Sequence, residues 1–280
     1  MKFGIILPGG TAVRQLEQAV RAEEAGWDGV FTWEAAYGVD AWSLLAAMAA
    51  RTNRVRLGTV LSPLPWRRPW KLASQIATLD QLSAGRAIVT VGLGAIDSGM
   101  ADVGEVTDRR ERAARLDEGI DLMRTLWAGR PDYAGEHFRI HCPDWLLEAA
   151  RPVQQRIPVW VAAAWPRPKS MTRVLRCDGV LPEWHLDGRE GGPDDIREMR
   201  GWLAEHGARA DLDVIAEGET PAAEPAAAAS QVAPWAAAGC TWWLETRWGS
   251  EGSVDQRLGD VDARIAAGPP PLTAPGAPRG

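Results

Sequence analysis

The chain has 280 residues, 46% hydrophobic and 24% charged, with 31 basic against 37 acidic residues. A (β/α)-type domain needs about 250 residues, so one large domain fits better than two small ones. The composition excludes a disordered chain, and no stretch is basic enough to favour nucleic acid as a partner. Fifteen Trp stand against three Phe and two Tyr. Such an excess suits either a large core or a pocket for something flat.

Short β-type runs alternate with longer helical patterns. The first strand is read at residues 3–7, with Thr11 as the N-cap of a helix that Gly26 stops. The second strand is read at 28–33, and Asp40 caps the next helix, which ends near Thr52. The third strand, 55–61, leads through a Pro-rich loop to a helix at 70–83. The fourth strand, 87–92, leads through a long loop to a helix at 108–127. Its Leu116, Ile120, Met123 and Trp127 form one apolar stripe. Residues 131–158 are irregular, with a hairpin-like excursion at 133–140. The fifth strand, 158–163, precedes a short helix at 169–176. The sixth, 178–182, precedes a helix that begins near Pro193. The seventh, 212–216, precedes an Ala-rich helix at 222–238 ended by Gly239. The eighth is 241–245, and a last helix covers 254–267. Eight such cycles predict a single (β/α)8 TIM barrel over 1–267, with an irregular insertion between helix 4 and strand 5. Residues 268–280 are Pro/Gly-rich and read as a disordered tail.

Cys142, Cys177 and Cys240 have no CxxC spacing, so they read as three buried small side chains in a reducing compartment. The first residues are too short an apolar run for a signal peptide, and no run suits a membrane span. A soluble, cytoplasmic protein is expected, with no membrane and no nucleic-acid partner. His137, His141, His185 and His206 form neither an HxH nor an HExxH pair, so no metal site is expected.

In a (β/α)8 barrel the chemistry sits where strands end. The strand map places Trp33-Glu34, Ser62, Trp66, Gly92-Leu93-Gly94, Asp97, Ala163-Ala164-Trp165, Glu183-Trp184-His185, Glu217, Glu245, Arg247 and Trp248 there. Trp33, Trp66, Trp165, Trp184 and Trp248 are expected to line a flat, mostly apolar pocket, with Trp33, Trp66, Trp184, His185 and Trp248 facing the substrate. Trp242 and Trp243 are adjacent, so one should enter the barrel and the other the helix layer. Glu34, Glu183, Glu217 and Glu245 allow paired carboxylates. A barrel hydrolase using two of them stays open, because sequence does not give their separation.

Several motifs together resemble the bacterial luciferase-like family of flavin- and F420-dependent oxidoreductases. They are Lys2-Phe3-Gly4-Ile5-Ile6-Leu7-Pro8, Glu24-Ala25-Gly26-Trp27-Asp28, Arg51-Thr52-Asn53-Arg54-Val55-Arg56-Leu57-Gly58-Thr59, Asp80-Gln81-Leu82-Ser83-Ala84-Gly85-Arg86 and Val91-Gly92-Leu93-Gly94. The likeness is good over residues 1–182 and looser beyond. It implies a TIM barrel that holds reduced FMN or coenzyme F420 and acts on a small organic substrate, by oxygenation or hydride transfer. It also implies electrons from a separate reductase or NAD(P)H, and it allows a homodimer.

By position, the resemblance puts Ser62 beside the cofactor ring, with a cis peptide at Leu61-Ser62. It puts Gly92, Leu93 and Gly94 against the cofactor, and Ala163, Ala164, Trp165, Lys169 and Ser170 at its phosphate. Two features depart from relatives that act on sugar phosphates. Glu34-Ala35 replaces their Asp-His pair, and Ala95 replaces an acid. Glu34 is then the candidate catalytic acid or base. The loss of the Asp-His pair motivates the alternative of a flavin-binding protein without catalysis.

Overall fold

A computed structural model describes residues 1–96, 99, 101–247 and 254–272. The barrel strands are β1 (Lys2–Ile6), β2 (Gly29–Thr32), β3 (Arg56–Pro63), β4 (Ala87–Gly92), β7 (Val159–Trp165), β8 (Gly179–Trp184), β9 (Asp213–Gly218) and β10 (Trp242–Glu245). All pair in parallel and close in the order β1-β10-β9-β8-β7-β4-β3-β2. The surrounding helices are α1 (Ala12–Glu24), α2 (Ala41–Ala49), α3 (Pro69–Leu82), α4 (Arg109–Trp127), α6 (Pro168–Val174), α7 (Pro193–Glu205), α8 (Pro225–Ala238) and α9 (Val254–Ala266). The insertion before β7 contains the hairpin β5 (Asp132–Ala134) and β6 (Arg139–His141), then the short helix α5 (Asp144–Ala149).

The helix boundaries follow from local chemistry. Thr11, Asp40 and Asp108 each accept a backbone N–H from the first turn of α1, α2 and α4. Gly239 ends α8 at φ 101°, a left-handed conformation that only glycine adopts without strain. Several strands run further than their apolar stretches suggest. β7 and β8 stay paired to Ala164↔Glu183 and Trp165↔Trp184. Pairing is a backbone property, so a charged side chain at the barrel mouth does not end it.

Strand alternation sorts side chains into two layers. One faces the helices and forms the larger core. The other fills the barrel with Ile6, Phe31, Val60, Ile88, Trp160, Leu181, Ile215, Trp242 and Leu244. The rings of Phe31, Trp160 and Trp242 lie 5.3 to 6.0 Å apart and form an aromatic floor. Glycines make room for it. A Cβ on Gly179 would lie 2.3 Å from Trp160, and one on Gly29 would lie 2.9 Å from Phe31. Trp242 enters the barrel while Trp243 packs in the helix layer.

Two expectations need correction. Cys177 and Cys240 are buried, but Cys142 is half-exposed, because it lies just past β6 in the insertion rather than in the barrel. The tail does not begin as a loose segment. Gly268 and Pro270 are buried and Leu272 packs on the core, while residues 273–280 lie outside the described ones. Among the described residues, no helix is long and apolar enough to cross a membrane.

The floor makes a stability prediction. Trp160 is fully buried, and its indole N–H donates to Asp213 Oδ2 at 3.1 Å. Trp160→Ala is expected to cost about 3–5 kcal/mol in urea unfolding. A loss near that of an exposed substitution would contradict the packing described.

Candidate active site

Above the floor the barrel opens into a cup of about 770 Å³. This volume is in the range of small-molecule sites. Its apolar wall is built by Leu61, Pro63, Leu93, Ala162 and Ala164, with Trp33 at the rim. The cationic wall carries Arg109, Arg112 and Arg173, and Glu34, Ser170, Glu183 and His185 supply the remaining polar groups.

Glu34, at the end of β2, lines the cup, yet its carboxylate is already engaged. Trp42 Nε1 donates to Oε1 at 2.7 Å, Ser62 Oγ donates to the same oxygen, and Arg67 pairs with Oε2 at 3.0 Å. Ser62 itself is buried and also shares a hydrogen bond with Thr59. The residue that turns into the cup is Leu61, because the β3–β4 register slips between Thr59 and Ser62. The cis peptide is at Val60-Leu61, one residue before the expected place.

Gly92 is covered by Leu61 and Ala162, and a Cβ there would meet them at 2.7 and 3.2 Å. Leu93 and Gly94 line the cup. Gly94 has φ 80°, and a Cβ would fall 2.3 Å from the Trp66 ring, so only glycine fits. In the expected phosphate turn, Ala164 and Ser170 line the cup and Ser170 Oγ accepts the Ala164 N–H at 2.9 Å. Ala163 and Trp165 alternate away from it into the helix layer, and Lys169 is an exposed residue outside the lining.

Among the described residues the tryptophan pocket does not form. Of the four that fall among the described residues, Trp33 alone lines the cup. Trp66 is buried under Gly94 and donates to Val106 O at 2.7 Å, bracing the loop after β4. Trp165 packs edge-on against Trp202, and Trp184 lies against Gly191. Strand alternation explains both, since Ala164 and Glu183 take the inward positions beside them. Trp248 and Asp97 lie outside the described residues.

Sequence reasoning missed the arginine wall. Arg112 Nη1 donates to the carbonyls of Leu93 and Gly94 at 3.1 and 3.0 Å, and its guanidinium lies 5.2 Å from the Trp66 ring. Its buried Nε has no partner among the described residues. Arg109 and Arg112 stand in the first turn of α4, where the helix dipole disfavours cations. That misplacement was the available signal for an anion site. Arg173 is held by Asp117 at 2.8 Å.

The four mouth carboxylates separate into distinct roles. Glu245 is buried in the helix layer and binds Thr220 and Arg247. Glu34 is tied to Arg67. Glu183 and Glu217 extend inward above Leu181 and Ile215, on adjacent strands. Glu183 lines the cup and Glu217 stands beside it on the next strand, outside that lining; both keep solvent-exposed surface among the surrounding protein. Burial pushes the Glu183 carboxyl up, against a smaller opposing effect of His185. Burial and then the Glu183 charge push Glu217 up to about 7. Elsewhere, Glu118, Glu136 and His137 lie close enough to share a cation. However, the Glu118 oxygens already accept the backbone N–H groups of Glu136, His137 and Phe138.

A sequence model of the luciferase-like monooxygenase family matches residues 1–265. The chain belongs to that family. It is 35% identical over 178 residues to a putative coenzyme F420-dependent oxidoreductase of Mycobacterium tuberculosis, covering 59% of this chain and 50% of the relative. It is 38% identical over 165 residues to an F420-dependent glucose-6-phosphate dehydrogenase of Amycolatopsis mediterranei, covering 54% of this chain and 47% of that protein. The chain thus spans about half the length of these curated relatives. A coenzyme F420-dependent tetrahydromethanopterin reductase from Methanopyrus kandleri superposes with a TM-score of 0.73 at 17% identity, covering 95% of this chain and 98% of that one. That likeness shows the shared TIM-barrel fold.

Glu217 makes a pH prediction. Its folded pKa of about 7 exceeds the ordinary 4.5, so the fold favours its protonated form. The resulting stability is complete below the ordinary value and is lost as pH rises through about 7. Between about pH 5 and about pH 8 the wild type should lose more stability to urea than Glu217→Gln. Equal losses would contradict the raised pKa.

Proposed function

We propose that this protein is an oxidoreductase of the luciferase-like family that uses coenzyme F420, with FMN as the competing cofactor, on a small organic substrate. The observation that carries the proposal is the cup itself. It joins an apolar wall of Leu61, Leu93, Ala162 and Ala164 to a cationic wall with the unpartnered Nε of Arg112. A flat ring suits the first wall and a phosphate the second. The F420-dependent relatives support F420 over FMN.

A bound flavin or deazaflavin supplies a hydride or accepts one. The chain's own residues do the rest. Leu61, Ala162 and Ala164 exclude water from one ring face. Gly94 lets the backbone approach closely, and Arg112, with Arg109 behind it, takes up negative charge. Glu34 positions the end of β3 through Ser62 and holds Arg67 in place, with both its oxygens already bound. Electrons from a separate reductase or NAD(P)H would load the cofactor.

The test is a side-by-side titration with F420 and FMN, read by tryptophan fluorescence and absorbance. F420 should bind at or below roughly tens of micromolar, and more tightly than FMN. Tighter FMN binding would reverse the cofactor assignment. No binding of either would overturn the proposal.

A further inference from the structure

The structure assigns the cup's proton-transferring role to Glu183 and Glu217, a carboxyl pair on neighbouring strands that holds one proton and gives it to a substrate oxygen. The inference rests on the oxidoreductase reading above and adds the acid that such a reaction needs.

Geometry carries it. β8 and β9 pair at Gly179↔Asp213 and Val180↔Val214. Continuing that register places Glu183 opposite Glu217. Leu181 and Ile215, two residues earlier on each strand, point into the barrel. Glu183 and Glu217 therefore project from the same inner face, one layer above the floor. Glu183 lines the cup itself. Neither carboxyl has a hydrogen bond or ion pair among the described residues, unlike Glu34 and Glu245.

The surroundings leave the pair to itself. Just past β8 the other titratable group is His185. The inner positions of β7 are Ala162 and Ala164, which carry no charge. On β10 Glu245 is turned to Thr220 and Arg247 in the opposite layer. Arg109, Arg112, Arg173 and the occupied Glu34 belong to the rest of the cup's lining. Two carboxylates side by side cannot both ionise freely, so one proton stays with the pair to higher pH. Burial raises both carboxyls, and the Glu183 charge adds to the rise at Glu217, which agrees with that sharing.

The reaction balances with the proposed cofactor. A reduced cofactor, when bound, would supply the hydride that forms a C–H bond at a carbonyl carbon as the C=O π bond breaks. The oxygen would take the proton from the pair through Glu183, the member that lines the cup, with Glu217 resupplying it, and become a hydroxyl. The two electrons would come from the cofactor, and water would reprotonate the pair through the open mouth. The reverse oxidises an alcohol, with the pair as base. The predicted substrate class is thus a small ketone, aldehyde or secondary alcohol.

The test has two arms. In cofactor-free protein with 13C-labelled Glu carboxyls, NMR should show one carboxyl titrating near the value of about 7. Glu217→Gln should remove it, and Glu183→Gln should move the remaining Glu217 titration to lower pH. In turnover with reduced F420 and a panel of carbonyl compounds, Glu217→Gln should lose about 100-fold or more in kcat with KM little changed. Glu217→Asp should restore part of the rate with a shifted pH profile. Cofactor affinity and thermal melting check that each variant is folded. An unperturbed titration, or a Glu217→Gln variant that binds cofactor and keeps its kcat, overturns the assignment. A wild type that binds no cofactor sinks the oxidoreductase reading instead, while the NMR arm still decides whether the pair shares a proton.

Discussion

Everything in this barrel depends on where its side-chain layers are divided. Each strand alternates, so a residue shifted by one position changes sides. Phe31, Trp160 and Trp242 fill the lower barrel with three rings that meet face to edge or tilted. Gly29 and Gly179 yield the space they need. Because the floor is solid, whatever binds must bind above it. The small side chains Ala162 and Ala164 at the next inner positions turn that space into a cup rather than more core.

The same alternation sets the electrostatics. Glu183 and Glu217 face inward and form no ion pair among the described residues, while Glu245 faces outward and is neutralised by Arg247. Arg112 reaches the cup from α4, outside the sheet. It is held there by the Leu93 and Gly94 carbonyls and the Trp66 ring. The cup is thus apolar on one side, cationic on another and acidic at its base. Such a gradient would suit the proposed anionic cofactor and a neutral, oxygen-bearing substrate.

The barrel was legible from the sequence because strand and helix periods differ and turn residues mark the joins. Thr11, Asp40, Asp108 and Gly239 cap where their chemistry predicts. The motifs that carried the family resemblance lie mostly at the far end from the cup. Arg86, for example, donates to Val55, Ala49 and Thr52 and knots two of them together. They identify the fold better than the site. At the mouth, sequence named strand ends but not which neighbour points inward. Trp165 and Trp184 were therefore assigned to the pocket when Ala164 and Glu183 occupy it. Leu61 was hidden because a register slip in β3 breaks the simple alternation. Arg112 was hidden because a helix contributes it, and only its poor fit with the helix dipole pointed to it.

The most direct measurement fills the cup and leaves the floor alone. Ala164→Trp places a large ring against the apolar wall, over a strand whose backbone pairing it does not touch. Thermal melting should change little, and F420 binding should be lost. Wild-type F420 affinity in a folded Ala164→Trp variant would contradict a cofactor site in the cup.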